Sequence, residues 1–299
     1  MSARLRRIRQ IPRPPRRARD AHKSDFGRVL VVGGSPGMIG APALCANAAL
    51  RSGAGLVRLA VEAPIVSAAL TLAPCATAVT GVKYVNTLPA WKRLRETIDD
   101  NDILAIGPGW SVDAARTALL RRILAETTKV TAIDADGLNN LCRVRTWWNL
   151  VKKRVATGGA VVLTPHTGEM QRLLDSAGIR RNARRDRDAA AADLARHCGA
   201  VIVHKGAGTV VTDGARLYVN ATGNPGMATG GTGDVLTGVI AALCGQGLSA
   251  FDAAVLGVHA HGLAGDLAAR RRGETGLIAT DVVAHLPSAF QQLEHKKST

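Results

Sequence analysis

Residues 224–238 read "NPGMATGGTGDVLTG", and the rest of the chain is best understood from this stretch. Five of its fifteen residues are glycine, and its only acidic residue is Asp234. The run "DVLTGVIAALCGQG" (234–247) follows and reads as an apolar helix ending at Gly245 or Gly247. A glycine turn opening into a helix presents free backbone N–H groups and the positive end of the helix dipole. Both suit a phosphate or a developing anion. No segment matches GxxxxGK[ST], so a P-loop is excluded at motif level. Two roles compete for Asp234. It caps the helix, or it takes a proton from a hydroxyl while an anion hole stabilises a transferring phosphate. Capping alone does not require Gly230, Gly231 and Gly233, so the second role is favoured.

Upstream, short β-branched runs stopped by Gly or Pro recur at 28–34, 55–62, 102–109, 130–137 and 160–166. Ala- and Leu-rich segments with helical spacing lie between them, at 41–53, 64–72, 113–126 and 168–176. Strand and helix alternate, which predicts a mainly parallel central sheet with helices on both faces. At 200–220 the pattern changes to three β runs separated by "KGAG" and "TDGA". Glycine turns between closely spaced β runs predict hairpins and an antiparallel edge. A further helix is expected over 251–270.

Other segments bear on a site. "GGSPGMIG" (33–40) is not G-x-G-x-x-G, so it reads as a strand-to-helix loop and not as a dinucleotide fingerprint. "LTPHTGEM" (163–170) and "DADGLN" (134–139) follow strands, and ligands of open parallel sheets bind at strand carboxyl ends. His166 is therefore placed to touch substrate. Asp134, Asp136 and Asn139 share that rim; they orient Mg²⁺ or phosphate, or cap the next helix. Lys205 lies in "VHKGAGTVV" (203–211), which is a hairpin turn or a backbone contact for an adenine nucleotide.

The chain has 299 residues and a net charge of +16. Residues 1–23 carry eight Arg and one Lys against one Asp, so about half of the excess charge sits in this tail. Residues 1–22 are expected to be a basic tail, disordered in isolation, and 23–299 a single domain. The tail lacks the apolar core of a secretory signal, and no segment has the roughly 18 apolar residues of a membrane span. Aromatic residues make up only 3% of the chain and no reading motif occurs, which argues against nucleic-acid binding. The five cysteines form no CxxC pair and fit a reducing cytoplasm. The basic cluster "RRNARRDR" (180–187) reads as a solvated helix face, with steering of an anionic substrate as the sharper alternative.

Six pieces, in order, carry a resemblance: "HKSDFGRVLVVGGSPGMIGAPALCANAALRSGAGLV", "AIGPG", "DADGLN", "LTPHTGEM", "KGAGTVV" and "NPGMATGGTGDVLTG". From about His22 to Pro287 the sequence resembles the ribokinase-like superfamily, and within it the NAD(P)H-hydrate dehydratases. The resemblance implies repair of hydrated NADH or NADPH at the S epimer, with ADP or ATP phosphorylating the ring hydroxyl before phosphate leaves. It implies Asp234 as the base and Gly231 with Gly233 in the anion hole. Ala41, Gly109 and His166 would line the hydrated cofactor together with Asp234. Lys205, Gly206, Ala207, Gly208 and Thr209 would hold the nucleotide, with Gly233 at its phosphates. Asn224 and Asp136 are weaker candidates. Mg²⁺ is expected with the nucleotide, and no side-chain metal set is assigned. Where the family often reads HPGE, this chain has His166-Thr167-Gly168-Glu169. Many members carry an N-terminal epimerase domain; only a basic stretch of about 22 residues stands in its place, so a separate epimerase is expected for the R epimer. Ala- and Gly-rich helices suit packing against further copies, and a homo-oligomer, a tetramer, is expected. A vitamin-precursor alcohol kinase of the same superfamily is the alternative function.

Overall fold

The structure is a computed structural model that describes residues 5–79 and 88–295. Its strands are β1 (Arg6–Arg7), β2 (Arg28–Val32), β3 (Leu56–Ala60), β4 (Thr77–Val79), β5 (Ile103–Ile106), β6 (Val130–Ile133), β7 (Val161–Leu163), β8 (Val201–His204), β9 (Val210–Thr212) and β10 (Arg216–Val219). Its helices are α1 (Gly40–Arg51), α2 (Val66–Leu72), α3 (Leu88–Asp99), α4 (Ala114–Glu126), α5 (Asp136–Cys142), α6 (Trp147–Ala156), α7 (Thr167–Ser176), α8 (Arg187–Cys198), α9 (Thr232–Gly245), α10 (Ala250–Arg272) and α11 (Ala279–His295). The strands form one sheet in the order β1-β10-β9-β8-β7-β6-β5-β2-β3-β4. Neighbours from β8 through β4 pair in parallel. The β8–β9 and β9–β10 pairs are antiparallel. The mainly parallel sheet with an antiparallel edge is thus the architecture expected from the sequence.

Alternation along single strands builds two cores. In β2, Val29 and Val31 join the cluster formed with α1, α9, α10 and α11. Leu30 and Val32 join the opposite cluster, with α3 through α8. A strand buried on both faces reads as a continuous apolar run, which is why "VLVV" shows no polar alternation. The second cluster is also anchored by a buried cation. Arg154 on α6 is 3% exposed and donates to the Thr131 hydroxyl at 2.9 Å and to the carbonyls of Thr127 and Lys129.

Two basic segments take on partners in the fold. Residues 1–4 of the tail lie outside the described residues, but beyond them Arg6–Arg7 pairs parallel to β10. Ile8 and Ile11 pack on the first core cluster, and the Arg17 guanidinium stacks 3.9 Å from the Phe26 ring centre. An open sheet edge offers backbone partners that a free peptide lacks, so the segment expected to be disordered in isolation is strapped to the domain. The basic cluster 180–187 is not a helix face; only Arg187 enters α8. It is nonetheless solvated, since Arg180, Arg181, Arg184 and Arg185 are exposed and Arg181 pairs with Asp193 at 2.7 Å; only half-buried Arg187 turns inward, donating to the His204 carbonyl at 3.0 Å. Among the described residues no helix is long and apolar enough to cross a membrane.

Candidate active site

Strand order reverses between β2 and β5, because the chain proceeds outward from β2 to β4 and, on the other side, from β5 to β8. The helix after β2, α1, packs in the first cluster, and the helix after β5, α4, packs in the second. The loops therefore diverge and leave a crevice at the strand carboxyl ends, the usual ligand position of such sheets. Ala41 lies in the first turn of α1 on one side of it. Gly109 lies opposite, where a Cβ would sit 3.1 Å from the Ala41 methyl. Ser35 Oγ donates to the Gly109 carbonyl at 3.0 Å, and Ser111 N donates to Asp136 Oδ2 at 2.8 Å. Ala41, Gly109 and the "DADGLN" turn thus form one rim. Ala135, between the two aspartates of that turn, is held at φ 47°. Such strain in a residue with a side chain is characteristic of functional turns.

His166 is the N-cap of α7. Its Nδ1 accepts from Gly168 N at 3.0 Å, while Glu169 Oε2 accepts from His166 N at 2.8 Å. This reciprocal capping fixes the ring, whose Nε2 lies 3.4 Å from Glu169 Oε1, while the side chain as a whole stays 55% exposed. Burial and the nearby Lys205 charge hold the His166 pKa below its ordinary value, so the ring is neutral at pH 7. Lys205 begins the β8–β9 turn, and its N–H donates to the Pro165 carbonyl at 2.8 Å, joining that turn to the His166 loop.

Lys205, Gly206, Ala207, Gly208 and Thr209 line one wall of a cleft of about 630 Å³. Asn220 to Pro225, Met227, Gly233 and His261 contribute the others. Thr209 Oγ1 donates to the Gly206 carbonyl at 2.9 Å and closes the turn on itself. Ala41, Gly109, His166, Gly231 and Asp234 do not line this cleft. Of the sequence-derived residues, Lys205–Thr209, Asn224 and Gly233 line the cleft, Ala41 and Gly109 meet at the crevice, and Gly233 and Asp234 are consecutive where α9 begins.

At that boundary α9 begins. Gly231 is its N-cap in the left-handed region, at φ 93°. A side chain there would also press on Leu44. Thr232, Gly233 and Asp234 form the first turn, whose N–H groups have no intrahelical acceptors. Asp234 is the third helical residue and does not cap. Its carboxylate has no hydrogen bond or ion pair with any described residue. Burial pushes its pKa up to about 7, and the Asp134 charge pushes the same way against Lys205. A carboxylate poised near neutrality at an anion-binding turn is suited to general-base work.

Two further features escaped the sequence reading. Lys205 Nζ lies 2.5 Å from Asp134 Oδ1 and 4.0 Å from Glu169 Oε2. Thr237 Oγ1 donates to Asp134 Oδ2 at 2.7 Å. Asp134 neither caps α5 nor stands free on the rim; it is 1% exposed beneath Lys205. Burial opposes the Lys205 charge, yet Asp134 and Glu169 outweigh it and raise the Lys205 pKa. The second feature is His261, one turn of α10 buried under the cleft, which burial pushes down to about 4 and keeps neutral. The pairing partners are 71 residues apart, so no local motif announces them.

A family model described as NAD(P)H-hydrate dehydratase matches residues 29–288. The chain belongs to the NAD(P)H-hydrate dehydratase family. The bifunctional NAD(P)H-hydrate repair enzyme Nnr of Moorella thermoacetica is 44% identical over 296 residues, 95% of this chain and 53% of that protein. The chain thus spans about half the length of such curated relatives. The ADP/ATP-dependent NAD(P)H-hydrate dehydratase of Bacillus subtilis, solved after co-crystallisation with ATP and Mg²⁺, superposes with a TM-score of 0.78 at 27% identity. That match covers 94% of each chain. A ribokinase-like superfamily protein of Enterococcus faecalis superposes with a TM-score of 0.80 at 25% identity, over 98% of this chain and 97% of that one. The family and the ribokinase-like fold are those anticipated from the six motifs.

The fit of Mg²⁺ to this family member follows from its side chains. Among the described residues no three His, Cys, Asp or Glu converge on one point. Asp134 is already engaged by an ammonium and a hydroxyl. Magnesium is commonly held by substrate phosphates and water with one or two carboxylates. The residues present fit an ion that arrives on the nucleotide, with Asp136 or Glu169 within the same polar rim.

Proposed function

We propose that the protein is an ADP- or ATP-dependent dehydratase of the S epimer of hydrated NADH or NADPH, returning the normal cofactor. The observation that carries this reading is the adjacency of Gly233, which lines the nucleotide-sized cleft, and Asp234, an unbonded carboxylate raised to about 7. In this reading the nucleotide lies along Lys205–Thr209 with its phosphates at the α9 N-terminus. The hydrated ring lies in the crevice between Ala41, Gly109 and His166.

The chemistry follows from leaving-group ability. Asp234 takes the proton of the ring hydroxyl, and that oxygen attacks the terminal phosphorus of the nucleotide, whose bridging oxygen leaves as AMP or ADP. The first-turn N–H groups of α9 and the Lys205 ammonium stabilise the charge spread over the transferring phosphoryl oxygens. Magnesium, when bound with the nucleotide, adds charge neutralisation there. The ring nitrogen lone pair then expels phosphate, a far better leaving group than hydroxide. Loss of a proton from the neighbouring carbon restores the double bond.

The test is incubation with chemically hydrated NADPH and either ADP or ATP, following the return of reduced-nicotinamide fluorescence. Recovery with one nucleotide supports the reading and settles its preference. No recovery with either, or accumulation of a stable phosphorylated alcohol, overturns it in favour of a kinase. A partner epimerase for the R epimer and assembly into a homo-oligomer belong to the same proposal. Cytoplasmic residence is likewise proposed, on the cysteine pattern.

A further inference from the structure

Asp134 is the most deeply buried acidic group near the cleft, and its position follows from three close approaches. Its Oδ1 receives the Lys205 ammonium at 2.5 Å. Its Oδ2 receives the Thr237 hydroxyl at 2.7 Å, from the second turn of α9. Gly233 sits directly over the pair: a Cβ there would lie 3.2 Å from Lys205 Nζ and 3.7 Å from Asp134 Oδ2. Lys205 and Gly233 both line the cleft, whereas Asp134 does not. The ammonium therefore stands between a fixed buried carboxylate and the space open to a phosphate. A free lysine side chain would lose rotamer entropy on binding that phosphate; this one is already ordered.

We propose that Asp134 is a positioning residue that holds the Lys205 ammonium at the α9 N-terminus and so links the nucleotide cleft to Asp234. The proposal rests on the dehydratase reading for what Asp234 does, but not for nucleotide binding. The groups that face Asp234 are Asp134 and Asp136 from the β6–α5 segment, Lys205 from the β8–β9 turn, and Glu169 from α7. Cys45 of α1 lies against the same charges. Asp134 is the largest of the charge contributions that make Asp234 a stronger base, and Lys205 the one that opposes them.

The experiment compares wild type, Asp134→Asn, Lys205→Met and the double variant. Calorimetric titration with ADP, ATP and adenosine reads the cleft without any turnover. Asp134→Asn is expected to weaken ADP and ATP about tenfold while leaving adenosine unchanged, because only the phosphates meet the ammonium. It should add nothing in the Lys205→Met background, since it acts through that lysine. The pH profile of turnover reads the second half: the acid limb should move to lower pH in Asp134→Asn as Asp234 loses its repelling neighbour. Should Asp134→Asn alone unfold, the comparison is made between Lys205→Met and the double variant, which buries no unpaired charge: equal ADP affinities are expected, and a further loss in the double variant overturns the proposal. Unchanged nucleotide affinity, equal loss for adenosine, additive effects, or an unmoved acid limb would each overturn the proposal. Tight ADP binding with no return of reduced nicotinamide would instead sink the dehydratase reading and leave the binding half standing.

Discussion

Gly238 of α9 faces the Cys45 carbonyl of α1 so closely that a Cβ at 238 would overlap that oxygen. The crossing of these two helices sets the position of the α9 N-terminus, one turn upstream, and with it Asp234. Small residues along both helices allow the approach, for Cys45, Ala48, Val235 and Ala242 are all buried there. Gly238→Ala is expected to push the helices apart and cost about 3 kcal/mol. Chemical denaturation read by circular dichroism checks it. A loss below about 0.5 kcal/mol would mean the crossing relaxes freely.

Asp234→Asn keeps the shape of the side chain and removes its ability to take a proton. Turnover of hydrated NADPH is expected to fall by about a thousandfold, with the dissociation constant for ADP within about threefold of wild type. Steady-state kinetics and calorimetry measure the two. Undiminished turnover would leave Asp234 as a charge of the first helical turn and nothing more.

The raised pKa of Asp234 gives a rate and a stability prediction with opposite signs. As a base it works deprotonated, so turnover should rise with pH and level off above about 7. Folding runs the other way. The folded-state value lies above the ordinary carboxylate value, so the protonated form is the one folding favours. This contribution is fully present below about pH 4 and is lost as pH rises through about 7. Asp234→Asn should therefore stabilise the protein at pH 8, on the order of 2 kcal/mol once partial solvent access is discounted, and not at pH 4. Thermal melts at the two pH values decide it; equal shifts at both would remove the stability cost assigned to the base.

His166→Asn tests recognition apart from folding. Asparagine is a good N-cap, so α7 should keep its stability within about 0.5 kcal/mol. The exposed imidazole is lost, and if it touches the hydrated cofactor as proposed, KM for that substrate should rise about tenfold with ADP affinity unchanged. A normal KM would show that His166 serves its helix alone.

Arg154→Met addresses the buried cation beneath β6. Burial lowers the Arg154 pKa to about 10, and the guanidinium is held by the carbonyls at the end of α4 and by Thr131. Removing it strands several buried acceptors, and a loss of about 3 kcal/mol is expected. Denaturant titration measures this. An isostable variant would mean that water replaces the guanidinium.

What could be read in advance was whatever repeats locally. The runs of Val, Ile and Leu stopped by glycine placed β2, β3, β5, β6 and β7, and the two glycine turns placed β8 to β10 as an antiparallel edge. The motifs that follow those strands fell at their carboxyl ends for the same reason. Helices whose apolar spacing is diluted by charge, such as α3 and α8, were not anticipated, because tertiary burial stabilises them more than their own pattern does. Charge and prolines predict a tail that is disordered in isolation; the open edge of β10, with which Arg6–Arg7 pairs, is invisible in the tail's own residues. The glycines before Asp234, the apolar run after it and the motif it belongs to mark it in the sequence. Its pKa near 7, its freedom from capping, and the Lys205–Asp134–Thr237 contacts beside it depend on charges brought together from positions 134, 205 and 237. Electrostatic interaction falls with distance in space and rises with burial, and neither quantity is written in the order of residues along a chain.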